Sequence, residues 1–150
     1  MYSRILVATD GSELADKGVE AGLALARALA ARVVLVTASE PWQDIYPGDP
    51  NGMALSSELR DDYRKSKRAD CERILDDARA RAEAIGIEDV EAVYVADRTP
   101  ADAILETAGA RGADLVVMAS HGRSGIRKLL LGSQTQAVVS HGTLPVLLVR

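Results

Sequence analysis

Short runs of consecutive apolar residues alternate along this chain with longer stretches in which apolar positions recur every three or four residues. The runs include Ile5-Leu6-Val7-Ala8, Val33-Val34-Leu35-Val36, Leu115-Val116-Val117-Met118 and Val146-Leu147-Leu148-Val149. A strand covered on both faces needs such a continuous apolar run, and the amphipathic stretches between supply the covering helices. The pattern therefore predicts the order β-α-β-α-β-α-β-α-β, an α/β domain built on a parallel sheet.

The first strand is predicted over Arg4 to Thr9, ending at Asp10-Gly11-Ser12, where Ser12 can cap a helix that runs to about Ala31. Glu13 in its first turn suits the helix dipole. Ala15, Gly18, Ala21, Gly22, Ala24, Ala26 and Ala28 let this helix approach the sheet, with Leu14, Val19, Leu25 and Leu29 filling the gaps. The second strand covers Arg32 to Ala38. The segment from Glu40 to Gly52 holds three prolines and two glycines, which excludes a helix or a central strand. Trp42 or Tyr46 in it can cover a ligand or a partner surface; a flap without ligand contact is the equal alternative.

Ala54 to Ile85 reads as one long charged helix ended by Gly86, with Leu55, Leu59, Tyr63, Ile74, Ala78 and Ile85 as its stripe and a scaffold role. A third strand, Val90 to Ala96, precedes Thr99-Pro100-Ala101-Asp102, in which Thr99 caps a helix and Pro100 takes its first position. That helix ends between Gly109 and Gly112. Asp114 opens strand four, Gln134 to Gly142 forms the last helix, and Pro145 to Val149 the fifth strand.

Met118 to Thr135 is the stretch with the clearest chemical character. A strand, a loop of small residues and glycines, and a helix start at Gly132-Ser133 together make an anion-binding arrangement, because the first N–H groups of a helix lack partners and carry partial positive charge. Ser133 either gives its hydroxyl to the anion or caps the helix. Charge segregation supports the first. The chain has net charge −4, yet no Asp or Glu occurs from Leu115 to Arg150, where Arg123, Arg127, Lys128 and Arg150 contribute four positive charges, so the first 114 residues carry −8.

Composition bounds the rest. The 150 residues, 47% of them hydrophobic, make one domain. No apolar run is long enough to span a membrane and no charged-then-apolar leader is present, so an unprocessed chain without a membrane partner is expected. A lone Cys71 fits a reducing cytoplasm and is read as having no chemistry of its own. A pI near 5.2, no Phe and a single Trp argue against nucleic acid. GxxxxGK[ST], GxSxG and GxGxxG are all absent, and His121 and His141 without a second cysteine do not suggest structural zinc.

Open parallel sheets bind ligands beyond the carboxyl ends of their strands, where strand order reverses. If strands one and four are neighbours there, Ala8-Thr9-Asp10, Ala38 and the glycine loop converge. Asp10 can equally be a turn residue before Gly11.

The opening I-L-V-A-T-D-G-S, the segment V-V-M-A-S-H-G-R-S-G-I-R-K-L-L-L-G-S-Q-T-Q-A-V and the ending L-P-V-L-L-V resemble the universal stress protein family across the whole chain. The nucleotide signature of that family is Gly, two residues, Gly, nine residues, Gly, then Ser or Thr. Here Gly122 is followed by nine residues, Arg123 to Leu131, and Gly132-Ser133 close the signature, while Ala119 stands at the first glycine position. The resemblance implies a single doubly wound domain with a five-stranded parallel sheet of order 3-2-1-4-5 and helices on both faces. It also implies one adenine nucleotide: ATP, with AMP or ADP as alternatives and Mg as a companion ion. By position, Asp10 would face the ribose or adenine, the backbone of Ala38 the adenine, and Met118, Ala119, Ser120, His121 and Gly122, continuing into Arg123, the ribose-phosphate turn. Gly132, Ser133, Gln134 and Thr135 would hold the phosphates.

Ala119 is expected at negative φ, with binding preserved. The expected function is a cytoplasmic stress-response or signalling module that binds ATP with slow or no hydrolysis, without catalytic or metal-ligating residues. It is expected to be a homodimer through the edge strand Pro145, Val146, Leu147, Leu148 and Val149. A dimeric interaction protein of the same fold without nucleotide is the alternative, and an ATPase using Asp10 or His121 the third reading.

Overall fold

A computed structural model describes residues 1–42, 57–121 and 131–150. Its elements follow the predicted order: β1 (Arg4–Ala8), α1 (Glu13–Leu29), β2 (Arg32–Ala38), α2 (Ser57–Ala84), β3 (Val90–Val95), α3 (Pro100–Arg111), β4 (Leu115–Ala119), α4 (Ser133–His141) and β5 (Val146–Val149). All strand pairings are parallel and the sheet order is β3-β2-β1-β4-β5. Ala54 and Leu55 of the expected long helix, and Tyr46, lie outside the described residues.

Strand alternation sends odd and even residues to opposite faces. Ile5, Val7, Val33, Leu35, Leu115 and Val117 meet Val19, Leu23 and Ala26 of α1 and Leu75, Ala78 and Ala82 of α2. Leu6, Ala8, Val34, Val36, Val116 and Met118 meet Ala101, Ile104 and Ala108 of α3 and Val138 of α4. Both faces of β1, β2 and β4 are thus buried, which is why these strands read as unbroken apolar runs.

Ala15, Gly18, Gly22 and Ala26 of α1 are buried as expected. A Cβ on Gly22 would lie 2.7 Å from Val7 Cγ2, and one on Gly18 would lie 3.4 Å from the Ala119 nitrogen, so the helix rests directly on β1 and β4. Leu23, 2% exposed, fills the core that Leu14 was expected to share, while Ala24 and Ala28 face outward. The helix stops two residues early because Ala30 turns left-handed at φ 51°, and the Ala31 N–H then reaches back to the Ala26 carbonyl at 2.9 Å. Both caps read from sequence are present: Ser12 Oγ accepts from the Ala15 N–H and Thr99 Oγ1 from the Asp102 N–H, each at 3.2 Å.

The α2 stripe requires correction. Its buried residues are Cys71, Leu75, Ala78 and Ala82, spaced four, three and four apart, and Leu59 is 49% exposed. Small residues suffice because α2 lies close to the sheet. Arg81 joins α2 to α1 through Asp16 at 3.2 Å and stays within α2 to Asp77 at 2.8 Å. Partial burial opposes the charge of this guanidinium, but the two carboxylates outweigh it and hold its pKa above the ordinary value.

Candidate functional site

A cavity of about 480 Å3 opens at the carboxyl ends of β1, β2 and β4, where α3 and α4 begin. This is the switch point of the sheet, since successive crossovers leave β1 toward β2 on one side and reach β4 on the other. Of the residues expected there, Ala8, Thr9, Asp10, Ala38, Met118, Ala119, His121, Gly132, Ser133, Gln134 and Thr135 all line it. Gly122 and Arg123 lie outside the described residues. Ser120 is the exception: it is 2% exposed and stands behind the lining. Its carbonyl accepts from the Gly132 N–H at 3.0 Å and its Oγ lies 3.1 Å from His121 Nδ1.

Each edge of the cavity has a chemical character set by the backbone. Along β2, odd residues bond toward β3, as in Val33 N–H to the Asp89 carbonyl and Ser39 N–H to the Val95 carbonyl, both 3.0 Å. Even residues bond toward β1, as in Thr9 N–H to the Val36 carbonyl at 3.0 Å. Ala38 is the next even residue, but β1 has already ended at Ala8. Among the described residues no β1 partner meets its N–H and C=O on that side, where Ala38 lines the cavity, which leaves a donor and an acceptor suited to the edge of a heterocyclic base.

Beyond β1 the chain turns sharply. Asp10 Oδ1 accepts from the Ser12 N–H at 2.9 Å, Thr9 Oγ1 accepts from the Gly11 N–H at 3.2 Å, and Gly11 sits at φ 73°, where a side chain would be strained. Asp10 thus is the turn residue of the simpler reading and also part of the cavity wall.

The opposite edge is the start of α4. Gly132 is its N-cap at φ −57° and supplies no capping side chain. The Gln136 N–H is the first to bond back, to the Gly132 carbonyl at 2.8 Å, so among the described residues the N–H groups of Ser133, Gln134 and Thr135 form the open end of the helix. That end carries partial positive charge and favours an anion. Thr135 does not add its hydroxyl: Oγ1 donates to the carbonyls of Ala119 at 3.2 Å and Ser120 at 3.1 Å. Ser133, exposed, is not needed for the cap.

Ala119 ends β4 opposite Val149, and it is not among the residues at positive φ. The expectation of negative φ holds, because an extended strand end is open to any residue.

The sequence reading missed one wall. Tyr63, Lys67, Asp70, Cys71 and Ile74 of α2 line the cavity, so the helix is more than a scaffold and Cys71 is a buried wall residue. Their spacing of four, three, one and three puts them on one helix face, a signal hidden by the charges between them. Trp42 stands edge-on to Tyr63 with ring centroids 4.7 Å apart, and Lys67 Nζ lies 5.5 Å from the same ring. Ser39 and Tyr94 share a 2.7 Å hydroxyl hydrogen bond at the β2 end.

Comparison with known proteins agrees with this geometry. The chain matches the Universal stress protein family over residues 1–150. It is 38% identical over 152 residues to the universal stress protein in the QAH/OAS sulfhydrylase 3' region of Thermus aquaticus, covering 100% of both chains. Among solved structures, MJ0577 of Methanocaldococcus jannaschii superposes with a TM-score of 0.82 at 25% identity, with 99% of this chain and 96% of that one covered. A universal stress protein in complex with cAMP superposes with a TM-score of 0.72 at 31% identity, covering 99% and 97%. Sequence signature, strand order and these likenesses over the full length agree, and the chain belongs to the universal stress protein family.

Proposed function

We propose that this protein binds an adenine nucleotide, ATP foremost, as a stress-response or signalling module that hydrolyses it slowly or not at all. The observation that carries the reading is the meeting of the Ala38 backbone edge and the open α4 N-terminus in one cavity. One pairs with a base, the other with phosphate oxygens, and about 480 Å3 falls within the range of small-molecule sites. A family relative at 31% identity that was solved with cAMP supports the same ligand class. Mass spectrometry of gently denatured protein should reveal co-purified adenine nucleotide, and calorimetric titration with ATP should give one site per chain. Absence of both favours the nucleotide-free interaction module.

The proposal includes a cytoplasmic homodimer formed through Pro145 to Val149. β5 is the last strand of the sheet, and Leu147 is 39% exposed on it. Antiparallel pairing with a second copy would satisfy its open hydrogen-bonding edge. Light scattering at micromolar concentration should give a dimer mass, reduced to the monomer by Leu147→Lys; a monomeric native protein rejects this part of the proposal.

A further inference from the structure

We infer that the side chain of Gln134 is a specificity-determining donor in the cavity, turned by α3 so that it offers N–H groups to an anionic ligand group. The inference rests on the nucleotide reading of the same cavity. Gln134 is the second residue of α4, half-buried in the cavity wall, and its Oε1 accepts from the Ala101 N–H of α3 at 2.9 Å. A backbone N–H can only donate, so the atom facing it is the amide oxygen and the other arm of the amide is the nitrogen. Among the described residues no protein acceptor takes that nitrogen. With the Thr135 hydroxyl committed to β4, Gln134 is the side chain of the first turn whose donor is oriented by the fold.

The consequence is selectivity for phosphate. A phosphate oxygen gains a charge-assisted hydrogen bond beside the N–H groups of α4, whereas a nucleoside has no anionic group to receive it. The same geometry supplies a substitution that separates the two roles of the residue. Gln134→Glu keeps an oxygen for the Ala101 N–H and places a carboxylate at the N-termini of α3 and α4, where negative charge is favoured. It also replaces the donor facing the ligand with a second anionic oxygen.

The test compares the native protein, Gln134→Glu and Gln134→Met by thermal melting, by calorimetric titration with ATP, and by ligand-detected NMR with adenosine, which reads weak affinities. Gln134→Glu should melt at or above the native temperature, bind ATP at least about tenfold more weakly and keep adenosine binding within about twofold. Gln134→Met, which loses the tie to α3, should melt lower. Native ATP affinity in Gln134→Glu, or equal loss of ATP and adenosine, overturns the inference and leaves the nucleotide reading intact. Absence of both ligands from the native protein overturns the nucleotide reading itself, and this inference with it.

Discussion

Thr135 Oγ1 donates to the carbonyl of Ser120 at 3.1 Å, across 15 residues of chain, and thereby fastens the first turn of α4 to the end of β4. The bond is buried and is shared with the Ala119 carbonyl at 3.2 Å. It decides which hydroxyl of the Gly132-Ser133-Gln134-Thr135 segment is structural. Thr135→Val, nearly isosteric, should cost about 1–3 kcal/mol in a urea titration, because the shared hydroxyl donor to two buried carbonyls is lost and, among the described residues, only that of Ser120 keeps a second donor, the Gly132 N–H. Ser133→Ala should leave stability within about 0.5 kcal/mol, since Ser133 is exposed and makes no cap. The reverse order of effects would mean that Ser133, not Thr135, holds α4.

Gly132, at φ −57°, is not needed for backbone freedom. A Cβ there would lie 3.4 Å from the Ser120 carbonyl oxygen, 3.4 Å from His121 Cα and 3.8 Å from Thr135 Oγ1, close but tolerable, so the larger side chain of valine would crowd the start of α4 where it meets the end of β4. ATP at a hundredfold excess over Kd should stabilise the native protein by about 2.7 kcal/mol, read as a rise in melting temperature. Gly132→Val should fold and lose that rise. A full shift in the variant would place the phosphates elsewhere.

Ala119→Gly should change ATP affinity by less than about tenfold, because Ala119 is already extended and glycine adds no conformation that the turn uses. Calorimetry on both proteins checks this. Binding gained only with glycine would favour the nucleotide-free module.

Gly22→Ala should destabilise the fold despite alanine's better helix propensity. The new Cβ would stand 2.7 Å from Cγ2 of Val7, a stiff, fully buried side chain, and 3.4 Å from Val117 Cγ1. Overpacking of this kind costs about 1–3 kcal/mol, against a gain of up to about 1 kcal/mol from removing a helical glycine. Denaturant titration should show a net loss, and Val7→Ala in the same chain should recover part of it as a non-additive coupling.

Asp114 should contribute a stability that depends on acid pH. Burial opposes its charge, but the N–H and Oγ of Ser3, each at 2.8 Å, and the N–H of Arg4 at 3.0 Å hold its pKa below the usual carboxylate value. A depressed folded-state pKa gives stability that is present above the unfolded value of about 4 and is lost as pH falls through the folded one. Asp114→Asn should therefore be less stable by about 1 kcal/mol at pH 7, with the difference from the native protein shrinking below about pH 4. A difference independent of pH would assign the effect to packing.

How much of this was legible in the sequence follows from where each feature is encoded. The unbroken runs of β1, β2 and β4, the Ser12 and Thr99 caps and the small residues of α1 all depend on neighbours within a few positions, so local pattern was enough. The strand order β3-β2-β1-β4-β5 was not in the periodicity, which is the same for any arrangement of the strands; it came from the resemblance to a family and is met in the structure. The α2 wall of the cavity was missed because Tyr63, Lys67, Asp70, Cys71 and Ile74 form a face of mixed charged and apolar residues that periodicity does not mark, and only the docking of α2 against the sheet turns that face to the cavity.

By itself, then, the sequence determined the elements, their parallel pairing and the position of a helix start that follows a glycine, since periodicity, capping and glycine spacing act over one or two turns of chain. Only the tertiary structure decided what those elements present to a ligand. The free edge of Ala38 exists because β1 ends at Ala8 while β2 runs on beside it, the Thr135 hydroxyl is withdrawn by carbonyls 15 and 16 residues away, and the Gln134 amide is oriented from a helix 33 residues earlier. Each is a hydrogen bond, or a missing one, between residues brought together by register and packing, and no local pattern in the chain encodes which partner arrives.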